Sequence, residues 1–168
     1  MHTDNSSHAS STPHVRVKDA LALLRADHEE VSALFADVEQ ARSAPRKKDI
    51  VAKICAVLSV HVQIEEEIFY PAVQEALKDK LLVPEAKVEH NGVKALIAQL
   101  AEVDPDAEMY DARIKVLSEY VKHHVREEQT EMFPRVRASS LDLVALGERM
   151  AARKAALLAG ASSPLVSP

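Results

Sequence analysis

The stretch HVQIEEEIFYP at residues 61–71 has a counterpart, HVREEQTEMFP, at residues 124–134. Each begins with a histidine, has a glutamate four positions later, and has a proline ten positions after the histidine. Upstream of them, Asp27-His28 and Glu89-His90 are each followed by Val, Ala and Leu at matching positions. From His28 to His90 is 62 positions, and the later elements are 63 apart, so the two halves of the chain repeat one pattern.

The composition predicts a single helical domain. The chain has 168 residues, which suits one domain, and 47% of them are hydrophobic, enough for a substantial core. Only 4% are aromatic and only three are glycine, whereas Ala, Leu, Val, Glu and Lys are common. This balance favours helix and an all-α fold.

Charge and cysteine usage exclude several classes of function. The net charge of −5, with both signs interspersed, argues against a nucleic-acid partner. The sequence shows no apolar run of membrane-spanning length and no signal-peptide pattern, so we expect a cytoplasmic protein without a membrane partner. Cys55 is the only cysteine, so a metal would need nitrogen and oxygen ligands.

Turn signals divide the chain into five helices. We predict a disordered tail over residues 1–15, a helical domain over 16–160 and a flexible C-terminus over 161–168. The helices are expected near 17–42, 47–78, 84–102, 106–137 and 141–159, with a kink or break at Pro71. Short connections make neighbours antiparallel, which predicts an up-down-up-down four-helix bundle with an additional C-terminal helix.

The repeated histidines and glutamates fall on the apolar stripe of each helix. Steps of three and four residues define the buried seam of a bundle. On this register the polar seam positions are His28, His61, Glu65, His90, His124 and Glu128, among residues such as Leu24, Val31, Leu58, Val93 and Val121. Each of the first four helices therefore supplies one histidine, and the second and fourth each add a glutamate.

Six polar groups in a buried seam require partners. An unpaired buried polar group costs about 1–3 kcal/mol, and a bare carboxylate costs more. Hydrogen-bonded His–Glu pairs are one solution, and metal binding is the other. Ligand type, number and spacing favour metal, and imidazole with carboxylate suits Fe, Mn, Zn or Cu. Two glutamates able to bridge, with two histidines for each ion, suit a dinuclear centre.

The motifs resemble the hemerythrin-like HHE cation-binding domain. The resemblance rests on His28, His90 and the H-x-x-x-E runs at 61–65 and 124–128, and it covers roughly residues 17–137. It implies a four-helix bundle with two oxo- or hydroxo-bridged Fe ions, in which Glu65 and Glu128 bridge and the four histidines are terminal ligands. Zn or Mn are possible substitutes in the same ligands.

One departure from the oxygen-carrying members of that family bears on function. The carriers have H-x-x-x-H on the third helix, whereas Lys94 stands four positions after His90 here. One histidine ligand is thus missing relative to the carriers. Ligand counting then makes the two halves alike and leaves both metals open, which suits reaction with peroxide, or binding of O2 or NO, better than reversible oxygen carriage.

Neighbouring residues are weaker candidates. Tyr120 lies one turn before His124. It is either a core aromatic with its hydroxyl paired, or a residue that approaches the metals as an extra ligand or as a hydrogen-bond donor to bound oxygen. Asp27 and Glu89 are expected at the surface, about 100° around the helix from the histidines that follow them. Glu66, Glu67 and Glu127 are expected to be solvated or paired with a nearby lysine or arginine, although Glu66 or Glu127 could contact a ligand histidine. We expect His123 to face a neighbouring helix or solvent.

Three functions stay open at this point. The first is a di-iron protein that handles O2, hydrogen peroxide or nitric oxide, as a sensor or as a catalase-like or NO/peroxide-reducing enzyme. The second is an iron storage or delivery protein without turnover. The third is a metal-free helical interaction module whose polar seam only fixes register. The partner in the first case is a small diatomic or peroxide ligand, and the sequence leaves monomer and homodimer both open.

Overall fold

The computed structural model describes residues 18–162, and over that range it is built from helices. The α-helices are α1 (Ala20–Gln40), α2 (Ala44–Ile64), α3 (Tyr70–Leu77), α4 (Leu82–Glu102), α5 (Glu108–Glu127), α6 (Phe133–Arg137) and α7 (Leu143–Ser162). Two π-helical segments, π1 (Glu65–Phe69) and π2 (Glu128–Met132), join α2 to α3 and α5 to α6. The predicted tail at 1–15 and residues 163–168 lie outside the described residues.

The architecture confirms the predicted bundle. The helices α1, α2–π1–α3, α4 and α5–π2–α6 form the four-helix bundle, and α7 is the additional helix, packed against α1 and α2. Capping matches the sequence signals, since Asp19 accepts a hydrogen bond from the Ala22 N–H and Ser43 accepts one from the Arg46 N–H. No helix within residues 18–162 combines the length and apolarity needed to cross a bilayer.

The second and fourth bundle helices each contain a π-helical turn, and the first of these turns directly precedes Pro71, where a kink or break was predicted. Pro71 and Pro134 have no N–H, and their rings would clash with the carbonyl four residues earlier in a regular helix. In both places the chain widens instead, and the N–H groups of Tyr70 and Phe133 bond to the carbonyls of Glu65 and Glu128, five residues back.

The extra residue in each π turn shifts the buried stripe by one position. An uninterrupted α-helix would bury Ile68 and Ala72, which are only half-buried, whereas Phe69, Tyr70 and Val73 are buried instead. The same shift after Glu128 buries Met132 and Phe133 and leaves Glu131 exposed.

The core has two apolar clusters with a polar layer between them. One cluster contains Leu21, Leu24, Phe69, Phe133 and Met150, and includes residues of α7. The other contains Val31, Phe35, Ile54, Leu58, Val93 and Leu117. The histidines and glutamates of the seam lie between the two clusters, with apolar packing above and below them.

Candidate metal centre

The six seam residues predicted from the sequence come together in the interior. Each of them is 7% exposed or less. Their donor atoms form two groups, one comprising His28, His61, Glu65 and Glu128, and the other comprising Glu65, His90 and His124. The Oε2 atom of Glu128 lies 3.2 Å from His124 Nε2, so we count it with the second group as well. Every bundle helix contributes, as the register predicts.

The first group consists of buried atoms that lack hydrogen-bond partners. His28 Nε2 lies 3.4 Å from Glu128 Oε1, and His61 Nε2 lies 3.1 Å from Glu65 Oε1. These pairs are close enough for ion pairs when the rings are charged, but none of the four atoms makes a hydrogen bond of good geometry. Buried polar atoms are normally paired, and leaving one unpaired costs about 1–3 kcal/mol. A cation placed among the four atoms would satisfy all of them together.

The second group uses the other oxygens of the same two glutamates. His90 Nε2 lies 3.0 Å from Glu65 Oε2, and His124 Nε2 lies 3.2 Å from Glu128 Oε2. The two Nε2 atoms are 3.2 Å apart. Each glutamate thus presents one oxygen to each group, which is the arrangement that a carboxylate bridge between two metal ions needs.

The separations between neighbouring donors fit a first-row metal. Bonds of about 2.1 Å, as in zinc sites, put two ligand atoms at right angles about 3 Å apart. The His–Glu separations of 3.0–3.4 Å are close to that value. The residues present therefore fit metal in both chemistry and spacing.

Each histidine ring is oriented by a side chain from a different element. The Nδ1 contacts are His61 with Asp27 (3.1 Å), His90 with Glu66 (3.1 Å), His124 with Glu89 (2.5 Å) and His28 with the amide of Gln129 (2.9 Å). Contacts of this kind fix the ring and direct Nε2 towards the centre. Glu66 does both things that the sequence left open, since it contacts the seam histidine His90 and also accepts a hydrogen bond from Lys94.

Two of these partners correct the sequence prediction. Asp27 and Glu89 were expected at the surface, but Asp27 is buried and Glu89 is half-buried. The rotation of about 100° from the adjacent histidine turns each carboxylate towards a neighbouring helix instead of towards solvent. Asp27 also accepts a hydrogen bond from Lys154 of α7, so the additional helix contacts the outer side of the site.

The carboxylates hold protons on two of the rings in the metal-free protein. Burial opposes a charge on His61, but Glu65 and Asp27 overcome this and raise the pKa of His61 to about 10. Burial likewise opposes a charge on His124, yet Glu128 and Glu89 raise its pKa to about 11. Burial would raise the pKa of Glu65, but His61 and His90 hold it well below the usual value.

Tyr70 is a member of the site that the sequence analysis missed. Its hydroxyl lies 3.2 Å from Glu65 Oε2, 3.0 Å from Glu128 Oε2, 3.2 Å from His90 Nε2 and 3.5 Å from His124 Nε2. In a regular α-helix, residue 70 would point away from Glu65. In the π turn, five residues make one turn, so Tyr70 lies directly above Glu65 on the same face. Pro71, which makes the wide turn favourable, was the signal available in the sequence.

Tyr120 does not take that place. Its side chain is exposed (49%), and its ring lies against Gly92, where a Cβ atom would be 3.1 Å from the ring. Tyr120 is next to the seam residue Val121, and about 100° of rotation carries it out of the seam. Both expectations for Tyr120, a contact with the metals and a place in the core, are therefore wrong. Lys94 also points outward, and its ammonium donates to Glu66 at 2.7 Å.

The two halves of the site differ, which corrects the expectation that they are alike. Phe133 occupies the position in the second repeat that Tyr70 occupies in the first. Its ring lies nearly parallel to that of His28, at 6.1 Å, and brings no oxygen. Among the described residues, therefore, a phenol lies beside the second donor group and none lies beside the first.

Comparison with known proteins places this geometry in a family. The model of the hemerythrin HHE cation-binding domain matches residues 19–136. A crystal structure of a hemerythrin HHE cation-binding domain-containing protein from Mycobacterium kansasii, a homologue of Rv2633c, superposes with a TM-score of 0.73. It is 25% identical, and the match covers 86% of this chain and 90% of that one.

Two curated proteins are similar over part of the chain. A DNA nickase from Nostoc sp. is 28% identical over 115 residues, which are 68% of this chain and 32% of the relative. The uncharacterized protein Rv2633c from Mycobacterium tuberculosis is 29% identical over 99 residues, 57% of this chain and 60% of that protein. The chain thus spans about a third of the first relative and three fifths of the second. Since the family model covers most of its length, the chain belongs to the hemerythrin HHE cation-binding domain family.

Proposed function

We propose that this cation-binding domain is a non-haem di-iron protein that binds or reacts with dioxygen, hydrogen peroxide or nitric oxide. The observation that carries the proposal is the convergence of four buried donor atoms without hydrogen-bond partners, on His28, His61, Glu65 and Glu128. Imidazole and carboxylate together suit iron, and the same ligands would also accept zinc or manganese.

Two ions are supported because both glutamates offer one oxygen to each donor group. His28 and His61 would hold the first ion, and His90 and His124 the second. Glu65 and Glu128 would bridge them through their paired oxygens. This assignment uses all six buried polar seam residues and leaves none of their inward-facing atoms without a partner.

Tyr70 makes the two ions unequal in this proposal. Its hydroxyl lies 3.0–3.5 Å from four donor atoms of the second group, the separation expected for one more ligand of the same ion. In the metal-free protein, burial and the charges of Glu128 and Glu65 raise the pKa of Tyr70 well above its usual value, so the hydroxyl donates to those carboxylates. The first group has no such neighbour, and a small ligand is expected there.

The surroundings suit a small ligand and exclude a large one. A cavity of about 20 Å³ adjoins the four histidines, and apolar side chains line most of it, among them Val31, Val62, Val93 and Val125. That volume is close to the minimum for one water molecule. Bound iron would supply the redox chemistry that O2, peroxide and NO require, while the valines limit access to ligands of a few atoms.

Kinetics on metal-quantified protein separate this function from iron storage. Iron-loaded protein should consume peroxide or nitric oxide faster than the same concentration of free iron, and Glu65→Ala, which removes a bridging ligand, should abolish the excess. Rates equal to those of free iron, together with more than two irons retained per chain, would instead indicate a storage protein.

Our proposal includes no activity on DNA. The chain spans only 32% of the Nostoc DNA nickase, and its net charge is −5.

A further inference from the structure

A second group of metal-binding side chains lies outside the buried centre. His123 Nε2 is 3.3 Å from Glu89 Oε1 and 3.2 Å from Glu127 Oε1, and three donor atoms of these residues lie within 4.8 Å of one another. The His123 side chain is 51% exposed, whereas those of Glu89 and Glu127 are partly covered. One imidazole and two carboxylates, supplied by α4 and α5, make a mixed N/O donor set suited to divalent Fe, Mn or Zn.

Several glutamates at the interface between α4 and α5 place negative charge around this group. Exposed Glu85 and Glu131 line the same pocket as Glu89 and Glu127. Among the described residues that line it there is no lysine or arginine. Clefts lined by one sign of charge raise the local concentration and the association rate of ions of opposite sign.

The pocket is lined by two members of this surface group, Glu89 and Glu127, and by residues of the buried centre. Its lining includes His124 and Glu128, which belong to the six seam residues. Glu128 is 3% exposed, and its Oε2 atom lies 3.2 Å from His124 Nε2. Glu89 contacts both the surface group and the buried centre, because its Oε1 faces His123 and its Oε2 contacts His124 Nδ1. A cation held by His123 is therefore one side chain away from a histidine of the buried centre.

We propose that His123, Glu89 and Glu127 form a surface site for a divalent cation and that this site loads the buried centre. The donors of the buried centre are almost fully covered, so an incoming ion needs a route between helices. The surface group is open to water and offers only three protein donors, which suits weak, reversible capture. The loading role rests on the proposed metal centre, whereas the existence of the surface site does not.

Calorimetric titration with Zn²⁺ tests whether the surface site exists. Wild-type protein is expected to bind one more Zn²⁺ per chain, and more weakly, than His123→Ala. The matched control is Glu119→Gln, which removes an exposed i,i+4 pair with Lys115 on the same helix and should leave the stoichiometry unchanged. The test compares the Zn²⁺ stoichiometry of wild type with that of His123→Ala. Its result therefore does not depend on whether the buried centre binds iron.

Anaerobic stopped-flow loading of metal-free protein with Fe²⁺ tests the role. His123→Ala and Glu127→Gln should slow uptake about tenfold, within the range for electrostatic focusing. After desalting removes the weakly held surface ion, both variants should retain the same iron content in the buried centre as wild type. Equal Zn²⁺ stoichiometry in wild type and His123→Ala, or an unchanged rate of Fe²⁺ uptake, would overturn the proposal. A final iron content near zero in wild type would count against the buried centre, while the Zn²⁺ difference would still report on the surface site.

Discussion

At the scale of single residues, the site is organised by what lies behind each histidine. Four side chains contact the Nδ1 atoms, and two of them, Asp27 and Glu89, directly precede a histidine of the same site in the sequence. Each orients the ring of a neighbouring helix and not the ring beside it in sequence. The Asp-His and Glu-His pairs of the repeat therefore join helices as well as supplying donors.

Removing the charge of Asp27 should weaken metal binding. Asp27 contacts His61 Nδ1 and is buried, so Asp27→Asn keeps the shape of the side chain but loses the carboxylate. Loss of such a partner typically costs about 10–100-fold in metal affinity. Competition with a chelator would measure the change. Asp37→Asn, an exposed position on the same helix, is the control, and equal affinities for the two variants would refute the role of Asp27.

Tyr70→Phe should change the optical spectrum without preventing metal binding. If the phenol binds ferric iron, the wild-type protein has a phenolate-to-iron charge-transfer band in the visible range, and the variant lacks it. The matched control is Tyr120→Phe, because that tyrosine is exposed and away from the donors. A visible band of equal strength in Tyr70→Phe would show that the tyrosine is not a ligand.

Metal uptake should release protons from the two charged rings. The pKa values of His61 and His124 in the metal-free protein are about 10 and about 11, so both rings are protonated near neutral pH. Nε2 must lose its proton to bind a metal, and affinity should therefore rise with pH. Calorimetry in buffers of different ionisation enthalpy counts the protons released. Heats that do not depend on the buffer would contradict the protonation states assigned here.

The same pKa values set the pH dependence of the metal-free fold. The folded pKa of each ring lies above the unfolded value of 6.5, so the folded state binds more protons between pH 6.5 and about 10. The free energy of unfolding should therefore fall as pH rises through that window, and the contribution is fully present below pH 6.5. Urea denaturation of metal-free protein across this range measures it, and a constant or rising free energy would contradict the assignment.

At the scale of helices, the two π turns are the features that the sequence did not predict. Regular helical periodicity located His28, His61, Glu65, His90, His124 and Glu128, because each lies outside a wide turn or is its first residue, before the register shifts. It fails just after Glu65, where continuing the same steps would bury Ile68 and Ala72 and would leave Tyr70 out of the seam. Pattern reasoning with one fixed period cannot see a single added residue per turn, although the two prolines mark where it occurs.

The additional helix is held close to α1 at one glycine. A Cβ atom on Gly147 would lie 2.5 Å from the carbonyl oxygen of Lys18 and 2.8 Å from the Ala20 nitrogen, which are both rigid backbone atoms. Gly147→Ala should therefore lower the free energy of unfolding by about 1–3 kcal/mol through overpacking. Chemical denaturation would measure the loss.

Gly160 in the same helix provides the opposite case. No atom lies within 4 Å of a Cβ placed there, so Gly160→Ala meets no obstacle. It should raise stability by up to about 1 kcal/mol through helix propensity. Equal effects of the two substitutions would show that α7 is not packed tightly against the start of α1.

At the scale of the whole molecule, the two halves of the chain repeat one sequence pattern but form chemically different halves of the site. The repeated motifs predicted the all-α bundle, the helix order and the six inward-facing residues, because burial of a periodic apolar face dictates all three. They did not reveal the contacts between helices, such as Asp27 with His61, since these depend on how neighbouring faces meet. They also suggested two equal halves, whereas Tyr70 and Phe133 make the halves chemically different.

The central claim is that six residues from four helices hold two metal ions side by side, and anomalous diffraction tests it most directly. Crystals of iron-loaded protein, measured at the iron absorption edge, should show two peaks within the bundle. One should lie among His28, His61, Glu65 and Glu128, and the other among Glu65, Glu128, His90, His124 and Tyr70. A single peak in the bundle, or iron bound only outside these donors, would contradict the claim.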